Sequence, residues 1–168
     1  NLPGCYKMVK DTTVVAQFRV KEMEKLPFKT EGEVFFLAWT TTPWTLAFNL
    51  AIMANPKVTY IKAKVGDEKW IAAEALAGAF IKGVAGKSFD VAEKFTGDKL
   101  DGVEYEHPWA KEIDYASLKK ESKRMHTVVM SEEYVTTDSG SGLVQCAPGC
   151  GPEDYEVGHY YHIKPFNN

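Results

Sequence analysis

The sequence predicts a mixed α/β, strand-rich fold with a β-barrel-like core of short strands and peripheral helices. Two observations predict it: short runs rich in β-branched residues recur along the chain, and few segments favour a helix. The spacing of the runs is irregular, which does not suit a simple two-sheet sandwich. With 168 residues the chain has the length of one domain, so we expect residues 1–168 to form a single unit.

Strands dominate the first half of the prediction. Thr13 to Val20 is rich in β-branched residues and alternates roughly in period two, as a half-buried strand does. Glu33 to Ala38 is a short apolar run and predicts a buried strand. Val58 to Val65 alternates again, Gly66-Asp67 is a turn signal, and Lys69 to Ile71 is the expected return strand of a hairpin.

The second half is predicted to contain helices and shorter strands. Ala72 to Phe80 is the best helix by propensity, weakened by Gly78. A later helix begins with Pro152 and two acids in its first turn and runs through Tyr161. The remaining candidates are strands over residues 87–95, 127–130 and 142–147, a turn-rich stretch over 96–102, and a polar helix or loop over 114–124.

Composition excludes several classes of protein. A formal net charge of −3 and a pI of about 5.8 argue against a free-standing basic nucleic-acid binder, although a local patch could still contact RNA. The three cysteines, Cys5, Cys146 and Cys150, are sparse and odd in number, which is not typical of a disulfide framework. We therefore expect a reducing compartment and a cytoplasmic protein. We expect no membrane partner, because no apolar run approaches the roughly 18 residues of a spanning helix. Both ends of the chain suggest a fragment of a longer protein.

Three consecutive hydroxyl residues, Thr40, Thr41 and Thr42, follow the buried strand in the segment Trp39-Thr-Thr-Thr-Pro-Trp-Thr45. Pro43 disfavours a helical Thr42, and in an extended chain Thr40 and Thr42 face one side while Thr41 faces the other. The pattern predicts a small hydrogen-bonding wall. Taken alone, the pattern is better explained by a packed threonine-rich strand end.

A second segment, Gly140 to Tyr155, places a tight loop of small residues between a buried strand and a helix. Small residues let a ligand approach the backbone closely, and a carboxylate at the helix start can hold an ammonium group. Glu153 and Asp154 supply such carboxylates. First-turn acids that complement the helix dipole are the more common explanation for this pattern when it stands alone.

Together the two segments resemble the editing domain inserted in isoleucyl-tRNA synthetases. The resemblance rests on the first segment followed by Asn49, on Gly140 to Tyr155 about a hundred positions later, and on the connecting stretch Tyr105-Glu-His-Pro108. It covers essentially the whole chain, least well between Lys82 and Arg124. The related valyl and leucyl enzymes usually have Thr-Thr-Arg-Pro at the first segment.

The resemblance implies the fold shared by the valyl, isoleucyl and leucyl editing domains. It also implies hydrolysis of the aminoacyl ester of valyl-tRNA(Ile) after transfer. The expected partners are the valine-bearing 3′ end of tRNA(Ile) and the remainder of the synthetase. No cofactor is expected for editing, whereas ATP and magnesium would serve the parent enzyme. The chain has no motif of the HIGH or KMSKS type, so we do not expect it to charge tRNA.

The resemblance also implies roles for individual residues. Asp154 is the expected partner of the substrate ammonium group. The threonines and backbone of the first segment are expected to hold the terminal adenosine and the hydrolytic water. The catalytic candidates are Asp154, Thr40, Thr41 and Thr42. The candidates for substrate binding are Trp39, Asn49, Gln145, Ala147, Pro148 and Gly149.

Gln145 departs from the family pattern, because family members often carry histidine there. A glutamine cannot act as an imidazole base, so either this position works by size and hydrogen bonding or this member of the family is weakened or tuned differently. Two alternatives stay open: an editing domain of valyl or leucyl specificity, and a non-catalytic module that binds the tRNA end. A purely structural adaptor would leave both segments without a purpose.

Two further patterns carry less weight. The set Cys146, Cys150, His159 and His162 could in principle bind zinc, but its spacing does not match a standard zinc finger, and we expect no metal site. A basic cluster, which is more often a solvated face, could contact tRNA phosphates; it consists of Lys119, Lys120, Lys123 and Arg124.

Overall fold

The computed structural model describes residues 13–166. One sheet contains nine strands. They are Val14–Val20 (β1), Val34–Thr40 (β2), Ala51–Ala54 (β3), Thr59–Val65 (β4), Glu68–Ala73 (β5), Asp90–Thr96 (β6), Tyr105–Glu106 (β7), Thr127–Met130 (β8) and Leu143–Cys146 (β9).

Helical segments are few and short. The α-helices are Glu74–Ala77 (α1), Ala116–Glu121 (α2) and Pro152–Tyr160 (α3), and α1 continues into a π-helical segment, Gly78–Val84. Short 3-10 helices span Met23–Lys25, Pro43–Phe48 and Gly97–Leu100. Within residues 13–166, none of these helices is long and apolar enough to cross a membrane.

Strand β2 is the centre of the sheet. Its first edge pairs antiparallel with β1, from Val14 opposite Thr40 to Arg19 opposite Phe35. Its other edge pairs with two parallel strands in succession: β5 along the first half and β9 at the end, where Trp39 lies opposite Val144. The end of β2 and the end of β9 therefore lie side by side.

The sheet curls back on itself. From β9 it continues through antiparallel β3 to parallel β8. Strand β7 pairs with β1, and Glu104 just before β7 bridges to Thr127 of β8. The sheet thus curls into the predicted barrel-like shape, and the β4–β5–β6 arm extends from it beyond β2. At the β4–β5 turn, Gly66 has a φ of 61°, which glycine adopts without strain.

Apolar side chains fill the interior of the curl. Phe18, Phe36, Ile52 and Leu143 each have at most 1% of their surface exposed and come from four different strands. A second cluster packs beneath α3, and a third packs beneath α1 and the π-helical segment. Residues with even numbers on β2 point into the curl, so Thr40 continues the row of Phe36 and Ala38.

Most predicted elements of the sequence are confirmed, with differences that have physical causes. The helix expected from Ala72 begins only at Glu74, because Ala72 and Ala73 pair with β4 as part of β5. The polar stretch around residues 114–124 contains a helix, α2. Strands β3 and β7 were not expected: they are short and lack alternation, and their neighbours in the sheet define them. Cys5 lies outside the described residues.

Candidate active site

The candidate site lies where parallel strands β2 and β9 end. Strand β2 ends at Thr40 and β9 at Cys146, and each is followed by a turn that leads into a helix. The first turn leads into the 3-10 helix Pro43–Phe48, and the second leads into α3. The carboxyl ends of neighbouring parallel strands are a common location for ligand sites, because the chain leaves the sheet there on both sides.

Threonine hydroxyls form a connected row at the end of β2. The Oγ1 atoms of Thr40 and Thr42 lie 3.3 Å apart, and the Thr42 N–H donates to Thr40 Oγ1 over 3.0 Å. Thr45 Oγ1 lies 3.2 Å from Thr42 Oγ1 and donates to the Thr42 carbonyl over 2.8 Å. Thr41 is exposed on the other side, as the alternation predicted. The structure thus places Thr40 and Thr42 together and leaves Thr41 apart.

Gln145 joins this row from β9. Its Nε2 donates to Thr45 Oγ1 over 2.9 Å, and its Oε1 accepts from Asn49 Nδ2 over 3.4 Å. The side chain is buried, with 6% of the residue exposed. A residue of the late segment and residues of the early segment therefore share one hydrogen-bonded cluster.

Asn49 lies beneath the cluster and has no exposed surface. Its Nδ2 also donates to the Ala51 carbonyl over 2.8 Å, and its Oδ1 accepts from the Tyr105 hydroxyl. All of these partners are protein groups. In this arrangement Asn49 supports Gln145 from behind, and the direct substrate contact expected for it stays a prediction.

Asp154 lies in the first turn of α3 and binds the backbone at the end of β9. Its Oδ2 accepts a 2.7 Å hydrogen bond from the backbone N–H of Ala147, the residue after β9. Burial raises the pKa of this carboxyl, the Ala147 N–H lowers it, and the nearby Glu153 raises it further. Among residues 13–166, no cation contributes to this pKa, so the structure holds a half-buried carboxylate that a ligand cation could neutralise.

The loop between β9 and α3 is fixed by close packing. Ala147 and Pro148 are buried, and only Gly149 and Cys150 reach the surface. A Cβ added to Gly158 of α3 would lie 2.6 Å from Pro148 Cγ, so the helix can approach the loop only with glycine there. Of the three loop residues expected to contact substrate, Gly149 alone has appreciable exposure.

Trp39 lies outside this cluster. It follows the odd-numbered row of β2, whose side chains pack with Leu37 on the face opposite Thr40. A Cβ on Gly140 would lie 3.1 Å from the Trp39 ring, so this glycine gives the indole its space. In the structure, Trp39 supports the strand end from the outer face, and the substrate-binding role expected for it stays a prediction.

The chain is similar in sequence to isoleucine–tRNA ligases. It is 37% identical to that of Thermococcus kodakarensis over 169 residues, covering 98% of this chain and 15% of the relative. With the Aquifex aeolicus protein it shares 38% identity over 162 residues, covering 96% of this chain and 17% of the relative. The chain therefore spans about one sixth of the length of these curated relatives. No protein-family model matches it.

Solved structures show which fold this segment has. GlLeuRS-CP1 superposes with a TM-score of 0.67 at 16% identity, covering 92% of this chain and 69% of that one. The editing domain of the P. falciparum cytosolic leucyl-tRNA synthetase superposes with a TM-score of 0.64 at 12% identity, covering 89% and 67%. The chain belongs to the isoleucyl-tRNA synthetase family and has the fold of an editing domain. At such low identity the structures establish its fold, and the ligases establish its sequence relationship.

Behind the candidate site lies a layer of aromatic and histidine side chains that sequence reasoning missed. Three of them bind backbone carbonyls of the segment after β2. His107 Nε2 lies 2.8 Å from the Leu46 carbonyl, Tyr115 donates to the Ala47 carbonyl over 2.8 Å, and His126 Nε2 lies 3.2 Å from the Asn49 carbonyl. Only the stretch Tyr105 to Pro108 hinted at this layer, through its resemblance to the family.

Both histidines of this layer are neutral near pH 7. The Trp109 N–H donates to His107 Nδ1 over 3.0 Å, so Nε2 carries the proton that the Leu46 carbonyl accepts. Burial lowers the pKa of His107. Burial, with a contribution from His107, lowers the pKa of His126 to about 3. The layer therefore holds the turn without adding charge behind the site.

A cleft of about 810 Å³ opens beyond this layer, and none of the predicted site residues lines it. Its rim is charged but paired: Arg19 contacts Glu106, while Lys21 and Lys119 both contact Glu104. Because the charges on this rim neutralise each other and no hydroxyl row faces it, size alone does not make this cleft the active site.

The basic cluster is partly neutralised as well. Lys119 pairs with Glu104, and Arg124 pairs with Asp101. These pairs leave less charge for tRNA phosphates than the sequence suggested, although the phosphate contact itself stays a prediction. Among residues 13–166, no three His, Cys, Asp or Glu side chains are grouped so that they could hold a metal ion.

Proposed function

We propose that this domain hydrolyses the aminoacyl ester of mischarged valyl-tRNA(Ile), after transfer, on behalf of an isoleucine–tRNA ligase. The observation that carries the proposal is the convergence at the ends of β2 and β9. A hydroxyl and amide cluster comes from Thr42, Thr45 and Gln145, and a half-buried carboxylate comes from Asp154. An aminoacyl ester has groups that match both: an ammonium for the carboxylate, and ester and ribose oxygens for the donors.

The need for such a site follows from size. A hydrophobic pocket distinguishes two side chains that differ by one methylene by only about 1–3 kcal/mol, and isoleucine against valine is itself the standard example of that limit. A second site that admits valine and excludes isoleucine by its dimensions raises the overall selectivity. The closely packed loop under α3 and the buried Gln145 are suited to exclude isoleucine, because neither can move aside easily to admit a larger side chain.

Asp154 is the proposed anchor of the substrate ammonium. Its Oδ2 is fixed by the Ala147 N–H, which leaves the carboxylate oriented before the substrate arrives. A charge-assisted contact in a half-buried site is stronger than one in open water. Binding of the ammonium would also offset the cost of keeping this carboxylate charged.

The hydrolytic step in this proposal is attack by water on the ester carbonyl. The water oxygen forms a bond to the carbonyl carbon, the ester C–O bond breaks, and the ribose oxygen leaves with a proton. Thr42 and Thr45 would position the water, helped by a ribose hydroxyl of the substrate. Gln145 donates to Thr45 and cannot act as a base, so the scheme needs no histidine. It needs no metal and no covalent intermediate.

Release of valine from valyl-tRNA(Ile) tests the proposal. The purified chain should release valine faster than buffer does, leave isoleucyl-tRNA(Ile) intact, and leave threonyl-tRNA(Val) intact. Cleavage of threonyl-tRNA(Val) instead would assign the site to valyl-type editing. In the parent ligase, which would use ATP and magnesium for charging, the same substrate preference should appear.

A non-catalytic module that binds the tRNA end is the second candidate. The presence of an amide, Gln145, where a titratable ring could stand favours it. Tight binding of a valyl-adenosine analogue together with no ester turnover would establish this second function and exclude the first.

A further inference from the structure

The hydrogen bonds around Asn49 have a fixed direction. The carbonyl of Ala51 can only accept, so the side-chain atom that faces it over 2.8 Å is Nδ2. The opposite atom, Oδ1, therefore faces the Tyr105 hydroxyl, which must donate. Tyr105 is buried, with 1% of its surface exposed. The Tyr105 hydroxyl therefore donates its hydrogen bond to Asn49 Oδ1.

The other end of the chain of hydrogen bonds has the same direction. The carbonyl of Thr42 can only accept, so the Thr45 hydroxyl donates its hydrogen bond to that carbonyl over 2.8 Å. Thr45 Oγ1 then has lone pairs left to accept from Gln145 Nε2 over 2.9 Å. The remaining atom of that amide, Oε1, faces Asn49 Nδ2. Both ends of the chain thus require the same orientation of Gln145.

We propose that Tyr105 is a positioning residue of this site, which together with the Ala51 carbonyl holds the Asn49 amide in the orientation that positions Gln145 beside Thr45. This role rests on the hydrolytic function proposed above. Tyr105 has no contact with the reacting groups in this scheme. Its hydroxyl donates to Asn49 Oδ1, and Asn49 Nδ2 donates to Gln145 Oε1. Gln145 Nε2 in turn donates to Thr45 Oγ1.

The consequence is a site wall with defined polarity. With its carbonyl turned to Asn49, Gln145 presents N–H groups toward the threonines, and Thr45 is kept as an acceptor there. Without the Tyr105 hydroxyl, Asn49 Oδ1 would be a buried acceptor that has lost this partner, and the Asn49 side chain would lose a contact that holds it in place. Gln145 and the threonine it contacts would then be held less firmly around the attacking water.

Tyr105→Phe tests this role, because it removes the hydroxyl and keeps the ring. We expect kcat for valyl-tRNA(Ile) hydrolysis to fall about ten-fold with little change in KM, since losing one oriented hydrogen bond of about 1.4 kcal/mol corresponds to a factor of ten. Tyr115→Phe is the matched control: it also removes a buried hydroxyl that binds this turn, at the Ala47 carbonyl, but it lies outside the chain of amides.

The side-chain amide signals of Gln145 in ¹⁵N-labelled protein give a readout that does not need activity. They can be assigned by their loss in Gln145→Met. We expect them to shift in Tyr105→Phe by more than in Tyr115→Phe. This measurement keeps the two proposals separable, since an inactive wild-type chain would overturn the hydrolytic function while the amide shifts still report on Tyr105.

A double-mutant cycle gives a third readout. Thr45→Val removes the acceptor at the far end of the chain, so its effect on kcat and that of Tyr105→Phe should be strongly non-additive. Additive effects, equal losses of kcat in the Tyr105 and Tyr115 variants, or unchanged Gln145 amide signals in Tyr105→Phe would each overturn the role assigned to Tyr105.

Discussion

The backbone N–H of Ala147 and the carboxylate of Asp154 are joined by a 2.7 Å hydrogen bond that links the end of β9 to the first turn of α3. The bond fixes one carboxylate oxygen at the end of β9, the strand that pairs with the end of β2. Strand pairing and helix packing thus orient the same charged group.

Replacing Asp154 should abolish most of the hydrolysis. Asp154→Ala removes the proposed ammonium contact, and a charge-assisted hydrogen bond of about 2–3 kcal/mol corresponds to a loss on the order of 10²-fold in kcat/KM. Deacylation of valyl-tRNA(Ile) is the measurement. Glu153→Gln is the control, because this exposed neighbour has the same charge but no bond to Ala147. Unchanged hydrolysis in Asp154→Ala would remove Asp154 from the mechanism.

Asp154 should also reduce stability as pH rises. Burial raises its folded-state pKa above the unfolded value, so the folded state prefers the protonated form. Its favourable contribution is present below the unfolded pKa near 3.8 and is lost as pH rises through the raised folded pKa. Asp154→Asn keeps an acceptor for the Ala147 N–H but cannot ionise.

Urea unfolding at several pH values measures this effect. The stability of Asp154→Asn relative to wild type should increase from about pH 3 to pH 6, while its hydrolysis stays low. Such a gain in stability with a loss of activity is expected where a charge is kept buried for function. A stability difference that does not vary across this range would show that burial of Asp154 costs the fold nothing.

Gln145→Ala should weaken both the fold and the discrimination. The substitution removes a hydrogen-bond acceptor of the buried Asn49 amide, and we expect the free energy of unfolding to fall by about 1–3 kcal/mol. The space it opens at the end of β9 should let isoleucyl-tRNA(Ile) enter, so the ratio of valine to isoleucine release should fall. Gln145→Met is the control for volume. If both variants keep the wild-type ratio, Gln145 does not set the size of the site.

Gly158→Ala should destabilise the loop that carries Ala147. The added Cβ would meet Pro148 Cγ at 2.6 Å and Cβ at 2.8 Å, and overpacking of this kind costs about 1–3 kcal/mol. Thermal and urea unfolding measure it. Gly78→Ala is the matched control within a helical segment, since no atom of the described residues 13–166 lies within 4 Å of its added Cβ, and we expect it to stabilise by about 0.5–1 kcal/mol. Equal stability of the two variants would contradict the close packing.

Sequence patterns alone were sufficient to predict a strand or helix where the local signal was strong. The hairpin of β4 and β5, with its turn at Gly66, follows from alternation and a glycine turn. The start of α3 at Pro152 follows from proline and acids in the first turn. In contrast, β3 is four buried residues without alternation, and only its pairing with β8 and β9 makes it a strand. Likewise Ala72 and Ala73 favour a helix locally but extend β5 because β4 lies beside them.

The sequence by itself determined the strand-rich fold class, the two chemically distinctive segments and their resemblance to an editing domain, because these depend on residues close together in the chain. Only the tertiary structure decided which members of those segments meet. It joined Gln145 to Thr45 across 100 positions, placed Trp39 on the opposite face, and brought Tyr105 behind Asn49. Such contacts depend on the register between strands distant in sequence, and a shift of one residue would reverse every side chain.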